Sequence, residues 1–540
     1  MNIKTKKMLV TIMLVKMTLI LPTLTLAVPN APDINVSAVG SQVIVNFDPV
    51  TGATGYKLYY APYPELSPLK SMDLGTATSY KTTLATEDYY AVAVTSYDDS
   101  SESTLSNIDV ASLNESLSGG ETTLADASTH AFSSPAPNLD EAGLEQHLAG
   151  DADFEAVFVT APASVNGGLG PVFNQTSCEG CHPKDGRGAP PEEGGEFDTM
   201  FLRLSTPGKD STTGGPVAVE GFGTQLFQKS IFGMQSHADV TVTYTEESKT
   251  FADGKPYSLR TPHYNVKPYI DLPDDVMFSP RVAPAVFGRG LLEAIPESTI
   301  LALADENDAD GDGISGKANY VWHPVEKKTV LGRFGLKANN PTLIVQNAGA
   351  YHGDIGITSP IFPVDTSTGL PQDDGLQDDP EISMETLENV TFYVQTLSVP
   401  ARRNTDKAEV RQGQIIFAQA GCGSCHVPTI KTGEFEGVES ISNQVIHPYT
   451  DMLLHDMGEG LADNRPDFLA DGNEWRTPPL WAIGLTEVVH GHTFFLHDGR
   501  ARNLMEAIMW HGGEAEDAKN YVNNLSETER DALLAFLNSL

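Results

Sequence analysis

Between Pro32 and Asn107 apolar and polar residues alternate in short runs. Val43-Ile-Val-Asn-Phe47, Tyr56-Lys-Leu-Tyr-Tyr60 and Tyr89-Tyr-Ala-Val-Ala-Val94 are rich in β-branched and aromatic residues, with turn residues between them. A period of two in such residues is the pattern of half-buried strands, so residues 30–110 predict an all-β sandwich of the Ig-like kind. From Ala111 to Ser134 the periodicity fades into Ser, Thr, Gly and Asp, which predicts a linker over 111–134. After Pro135 helical spacing takes over in places: Arg411 to Ala420, Asn503 to Trp510 with Asn503 and Glu506 spaced as a capping box, and Ser526 to Leu540. Long loops separate them. The remainder therefore predicts a mostly α, loop-rich body, divided into a first unit over 135–400 and a second over 401–540.

The first 27 residues carry a different pattern. Lys4, Lys6 and Lys7 precede an apolar run from Met8 to a small-residue exit at Ala27, the form of a secretory signal cleaved after Ala27. Lys16 and Pro22 inside the run argue against a retained membrane anchor. No later stretch approaches the length of a span, so the mature chain is expected to be exported, to the periplasm or the cell surface, without a membrane span. A formal net charge of −38, from 34 basic and 72 acidic residues, would repel nucleic acid and anionic membrane alike. The same charge could steer a basic redox partner, although a solvated acidic surface is the simpler reading.

Four cysteines in an exported chain would ordinarily suggest two disulfides. Their placement suggests otherwise: Cys178-Glu-Gly-Cys181-His182 and Cys422-Gly-Ser-Cys425-His426 use all four, each pair followed at once by histidine. A c-type haem needs two thiols for thioether bonds and an adjacent imidazole for the iron, and this spacing supplies all three on one turn. A redox dithiol requires no such histidine, and zinc would need the two pairs acting together. The sequence thus predicts two covalently bound haem c groups, with His182 and His426 as proximal ligands, in a tandem cytochrome c-like body. An imperfect duplication agrees. Phe173 and Phe417 each precede a first cysteine by five positions, and the run from Phe334 to Leu343 matches that from Phe495 to Leu504 in spacing.

Two resemblances add to this. Pro32, Phe47 where tryptophan is frequent, Gly55-Tyr56 and Ser103-Thr-Leu-Ser-Asn107 resemble a fibronectin type III domain, which implies a spacer or adhesion module without chemistry. From about residue 140 to 540 the chain resembles the bacterial di-haem oxidoreductase family related to di-haem cytochrome c peroxidases. The strings that carry this are Gly168-Leu-Gly-Pro-Val-Phe-Asn-Gln-Thr-Ser-Cys178, Ala283-Pro-Ala-Val-Phe-Gly-Arg-Gly-Leu-Leu-Glu-Ala-Ile-Pro296, Asp310-Gly-Asp-Gly-Ile-Ser-Gly316, Gly353-Asp-Ile-Gly-Ile-Thr-Ser359, Leu454-His-Asp-Met-Gly-Glu-Gly-Leu461 and Trp475-Arg-Thr-Pro-Pro-Leu-Trp481.

The resemblance implies an electron donor, protein or small molecule, at the second haem, and hydrogen peroxide or another small oxidant at the first. It points to His511, fourteen positions after His497, as sixth ligand of the second haem where relatives usually have methionine; Met457 is the rival. No such ligand is evident for the first haem, although His237, His263, His352 and Met200 are candidates, which suits an open iron. The glutamine of the related peroxidases falls on Gln346, but their glutamate falls on Gly356, leaving Asp354 or His352 as the proton-handling group. Their inter-haem tryptophan falls on Leu336. Asp308, Asp310 and Asp312, with Gly313 at the sixth position, begin like a calcium loop, but Asn319 replaces the closing glutamate. Two other functions remain open at this stage: electron transfer alone, and oxygenation of an organic substrate.

Overall fold

The structure, a computed structural model, describes residues 28–376 and 379–540. The expected signal segment lies outside them. Among the described residues no helix is long and apolar enough to cross a membrane.

The alternating N-terminal runs form a two-sheet sandwich. One sheet orders β1 (Ile34–Val39), β2 (Gln42–Phe47) and β5 (Ser79–Thr83); the other orders β4 (Lys70–Gly75), β3 (Gly55–Pro62), β6 (Tyr90–Tyr97) and β7 (Asp109–Ala111). Val43, Val45 and Phe47 alternate inward from β2, and Tyr56 and Leu58 from β3, with Phe47 and Tyr56 meeting edge to face at 4.8 Å between the sheets.

The segment expected as a linker is built into the body. Thr123–Leu124 pairs in parallel with Val399–Pro400, and Phe132 is buried with its ring 4.4 Å from that of Phe287. Its polar composition hid these few buried apolar residues. The body is also less uniformly helical than expected. Ala238–Thr250 and Pro256–Pro268 form a long antiparallel hairpin, and Met200–Ser205 lies between Gln225–Leu226 and Met277–Val282 in a three-stranded sheet. Buried Ala238, Val240 and Val242 alternate with exposed Asp239, Thr241 and Thr243, the period of a strand with one face covered.

Six helices matter for the sites: α1 (Glu141–Glu155), α2 (Leu343–Ala350), α3 (Met384–Thr396), α4 (Ala408–Gln419), α5 (Leu504–Trp510) and α6 (Glu527–Ser539). At α6, Ser526 and Glu529 form a full capping box. At α5 only half of the expected box is made: Asn503 accepts from the Glu506 amide at 2.8 Å, while the Glu506 carboxylate turns to Arg502. Helices α4 and α6 cross with backbone nearly touching backbone at Gly413, where a Cβ would lie 1.9 Å from the Ala532 carbonyl oxygen.

The duplication is visible as geometry. Phe334 bridges Asn340 and Phe495 bridges Ala501, and each loop, with five residues between the bridged pair, leads through a side-chain cap, Thr342 or Asn503, into a helix, α2 or α5.

Gly413→Ala is expected to destabilise the chain by about 3 kcal/mol, the upper range for overpacking a close-packed contact, because the methyl has only backbone to displace. Urea unfolding measures it; a cost under about 0.5 kcal/mol would contradict the close crossing.

Candidate cofactor sites

Each CxxCH string folds as one tight turn. Cys178–Cys181 is a single helical turn capped by Ser177, whose hydroxyl accepts from the Gly180 amide at 3.0 Å; Cys422–Ser424 is a 3-10 turn. The amides of His182 and His426 close back on the carbonyls of Cys178 and Cys422, at 3.0 and 2.9 Å. All four thiols are free. Burial pushes Cys178 and Cys422 up to about 12 and raises Cys181 and Cys425 as well, so none is the low-pKa thiolate of a redox dithiol. Nor do the pairs gather around one metal: among the described residues the only metal-competent cluster of three or more such side chains is acidic.

The histidines are held in the manner of ligands. His182 donates Nδ1–H to the Pro284 carbonyl at 2.7 Å, and His426 donates to the Tyr449 carbonyl at 3.0 Å. That choice leaves Nε2 of each as a lone-pair donor. Burial pushes both imidazoles down to about 4, so both are neutral and able to bind iron at neutral pH.

At the second site a cavity of about 660 Å³ is lined by Cys422, Cys425, His426, Met457, Trp481 and His511. The volume falls in the range of cofactor pockets, ~300–1,000 Å³. Two thiols, a neutral imidazole and a cavity of this size fit a haem. His511, the first residue beyond α5, donates Nδ1–H to the Ala507 carbonyl at 2.7 Å, the same device that frees Nε2 in the two proximal histidines, and burial holds it neutral. Met457 lines the same cavity without a comparable anchor. The wall also includes Pro284, whose carbonyl holds His182, and Leu336, the position of the relatives' tryptophan. Trp481 shares that wall, fully buried and packed on Gly288.

At the first site the structure brings Asp354 to the cysteines. It lies on a π-helical turn, Tyr351–Ile355, that continues α2, and its carbonyl accepts from the amides of Asn174 and Gln175 just before Cys178. Oδ1 accepts from Gln225 Nε2 at 2.6 Å. Burial raises its pKa, with Arg203 and Gln225 opposing, and its charge is felt at both Cys178 and Cys181. His352 is placed differently: Nε2 bonds the Val364 carbonyl at 2.8 Å and the ring stacks on Phe362. Gln346 accepts from Asn340 at 2.7 Å and makes no hydrogen bond to the CxxCH residues. Gly356 cannot be replaced by a carboxylate. Its φ is 74°, and a Cβ there would lie 2.7 Å from the Val172 carbonyl oxygen.

Among the other ligand candidates, His263 is on the exposed hairpin bonded to Thr245, Met200 is buried in the three-stranded sheet, and His237 packs between Phe222 and Phe227. The repeat supplies the comparison that matters. Counting sixteen positions from the bridging phenylalanine reaches His511 in the second unit and Ala350 in the first.

Three features escaped the sequence reading. Asp185, three residues beyond His182, is buried, accepts from the Tyr393 hydroxyl at 2.8 Å, and is pushed up to about 7 by burial. In the acidic loop the clustered carboxylates are Asp305, Asp308 and Asp310, while Asp312 turns to the Ile314 amide and lines the second cavity. Asn319 is buried, donating to the carbonyls of Lys337 and Asp467, and so is a structural amide. The third feature is His455, which lies 2.7 Å from both Asp451 and Glu514 and 3.5 Å from Cys425 Sγ. Burial alone would strip its proton, but hydrogen bonds to Asp451, Cys425 and Glu514 prevail and push it up to about 12. Burial likewise opposes the Glu514 charge, but its bonds to His455 and Ser315 hold it down to about 2.

Together these features define a protein with two candidate cysteine-and-histidine cofactor sites, one sharing a cavity with the anchored His511 and the other having Ala350 at the equivalent position of the repeat. The chain belongs to the family described as "Di-haem oxidoreductase, putative peroxidase", whose model matches residues 113–540. Two haems are what that family name implies. The N-terminal sandwich is similar to the FN1–FN3 domains of chicken CNTN1, at 19% identity over 15% of this chain and 30% of that one, with a TM-score of 0.14. The chain thus spans under a third of that structure. It is likewise similar to a Fn3-like protein from Clostridium thermocellum, at 19% identity over 16% of this chain and 90% of that one, also with a TM-score of 0.14. No curated protein matches the chain.

The ionic cluster sets a pH dependence. A depressed Glu514 contributes stability that is complete above its ordinary value of 4.5 and is lost as pH falls toward 2; a raised His455 contributes in full below 6.5 and loses it only toward 12. Glu514→Gln should therefore flatten the acid limb of a urea-midpoint profile and leave the neutral-to-alkaline shape little changed. His455→Ala, which leaves two carboxylates facing each other, should cost about 3–5 kcal/mol at neutral pH. A wild-type acid limb in Glu514→Gln would refute the assignment.

Proposed function

We propose that this protein is an exported di-haem c oxidoreductase of peroxidase type, passing electrons from a donor at the second site to hydrogen peroxide or a similar small oxidant at the first. The family match supports the oxidoreductase class. The observation that carries the finer reading is the contrast between His511 and Ala350 at equivalent positions of the repeat. Two strong protein ligands suit electron transfer, and one suits reaction with an oxidant.

Cys178 and Cys181, and Cys422 and Cys425, would hold the haems through thioethers, with His182 at the first and His426 and His511 at the second as the imidazoles that would bind iron. Haem so held supplies one-electron chemistry at both sites. The chain supplies the rest. The carbonyls of Pro284 and Tyr449 fix which imidazole nitrogen is presented, and Asp354 handles protons. Its Oδ1 is occupied by Gln225, and Oδ2 is left to take a proton from one peroxide oxygen and return it to the other as the O–O bond breaks. The raised pKa of Asp354 suits both directions of that transfer. Calcium, when bound, would take Asp305, Asp308 and Asp310, whose carboxylate oxygens lie within 4.8 Å of one another.

Electron transfer alone and oxygenation are the rival readings, and EPR separates the first of them. The second site is expected to be low-spin at rest and the first to respond to peroxide; two low-spin signals unmoved by peroxide, with no turnover, would leave only an electron carrier. Cys178→Ala and Cys422→Ala should each weaken covalent attachment at one site alone. Asp354→Asn should lower peroxide turnover by about 10²–10⁴-fold while both haems stay attached. Turnover within a factor of about two of wild type would remove Asp354 from the mechanism.

A further inference from the structure

The fibronectin-like sandwich lies outside the matched family region, and it packs on the second cysteine loop. Pro64, just after β3, presses on Gly423, between Cys422 and Cys425; a Cβ on Gly423 would lie 2.5 Å from Pro64 Cγ. Gly423 is buried, whereas the corresponding residue of the first loop, Glu179, is exposed. The glycine is what the close approach demands.

The rest of the seam is built like an interior. Tyr63, Tyr89, Ala91 and Val110 of the sandwich form one buried cluster with Ile415 and Ala418 of α4. The Tyr63 hydroxyl donates to the Gln414 carbonyl at 3.0 Å, and Tyr89 meets His447 edge to face at 5.4 Å. At the margin Arg411 pairs with Asp109 and donates to the Val36 carbonyl at 3.2 Å. Helix α4 leads directly into Cys422, so the sandwich braces both the loop and its approach.

We propose that the sandwich is a fixed cover on the cysteine-bearing edge of the second site, keeping a protein-sized electron donor off that edge. A haem bonded to Cys422 and Cys425 would have its thioether edge at this loop, so the sandwich would cover that edge at Gly423, while Gly421 and Ser424 stay exposed. The cavity lining also includes exposed Asp312, Glu516 and Asp517, which the sandwich leaves uncovered for electron entry. The inference rests on the proposed function for its meaning, but the contact itself does not.

Gly423→Glu, which installs the residue of the first loop, tests it in the full-length holoprotein, with Glu179→Gly as control. Arg411→Glu loosens the same seam without altering the cysteine motif. In both seam variants hydrogen exchange in residues 60–66 and 411–420 should rise about tenfold, while residues 178–182 keep their protection. Reduction of the second site by a reduced c-type cytochrome should speed up several-fold relative to reduction by dithionite. Unchanged exchange in both variants, or faster exchange with an unaltered cytochrome-to-dithionite ratio, overturns the proposal. Haem content, measured on the same samples, tests the proposed function separately, because the exchange pattern does not depend on it.

Discussion

The hydrogen bond from a histidine Nδ1–H to a backbone carbonyl is the constraint on which both sites depend. A free imidazole can present either nitrogen and rotate about two torsions. One bond to a carbonyl removes the wrong tautomer and fixes the ring. Here the carbonyls belong to Pro284 and Tyr449, 102 and 23 residues from the histidines they hold. The long, irregular body is therefore positioning machinery. Its sheets and loops bring remote carbonyls to the two cysteine turns, and its burial keeps the imidazoles neutral.

The same device makes the two sites unequal. His511 takes its anchoring carbonyl from Ala507, one turn back on its own helix, so it needs no remote partner. The repeat provides the same loop, cap and helix in the first unit, where the corresponding side chain is the methyl of Ala350. One residue of difference on a shared frame, His511 against Ala350, distinguishes the two units at this position. The cavity wall that carries Trp481 also carries Pro284, so the group holding His182 borders the second site directly.

Much of this was legible in the sequence because it is local. The CxxCH turns, the strands β2, β3 and β6, the capping residues Asn503 and Ser526, and the repeat spacing all act within a few residues of themselves. The structure departs from expectation where chemistry is assembled across distance. Residues 111–134 read as a linker because the few buried residues among them, such as Phe132, pack on partners more than a hundred positions away. His455 is two residues from Met457 in the sequence, and only folding brings it between Asp451 and Glu514. The acidic loop shows the same limit at short range, since the turn at Asp308 swings Asp305 into the cluster and Asp312 out of it.

Gly356 explains why the carboxylate beside the first cysteine turn falls where it does. The chain must turn through a left-handed residue there, hard against Gly170 and the Val172 carbonyl, to bring the Cys178 segment alongside the end of α2. A side chain at that position would break the contact that builds the site, so a carboxylate has to come from elsewhere on the turn. The π-helical turn of Tyr351–Ile355 meets this need. By widening the helix over these residues it directs the Asp354 carboxylate toward Gln225 and within electrostatic reach of both cysteines, and spends the Asp354 carbonyl on the amides of Asn174 and Gln175. The backbone thus ties Asp354 to the first cysteine turn, while its side chain is held by Gln225.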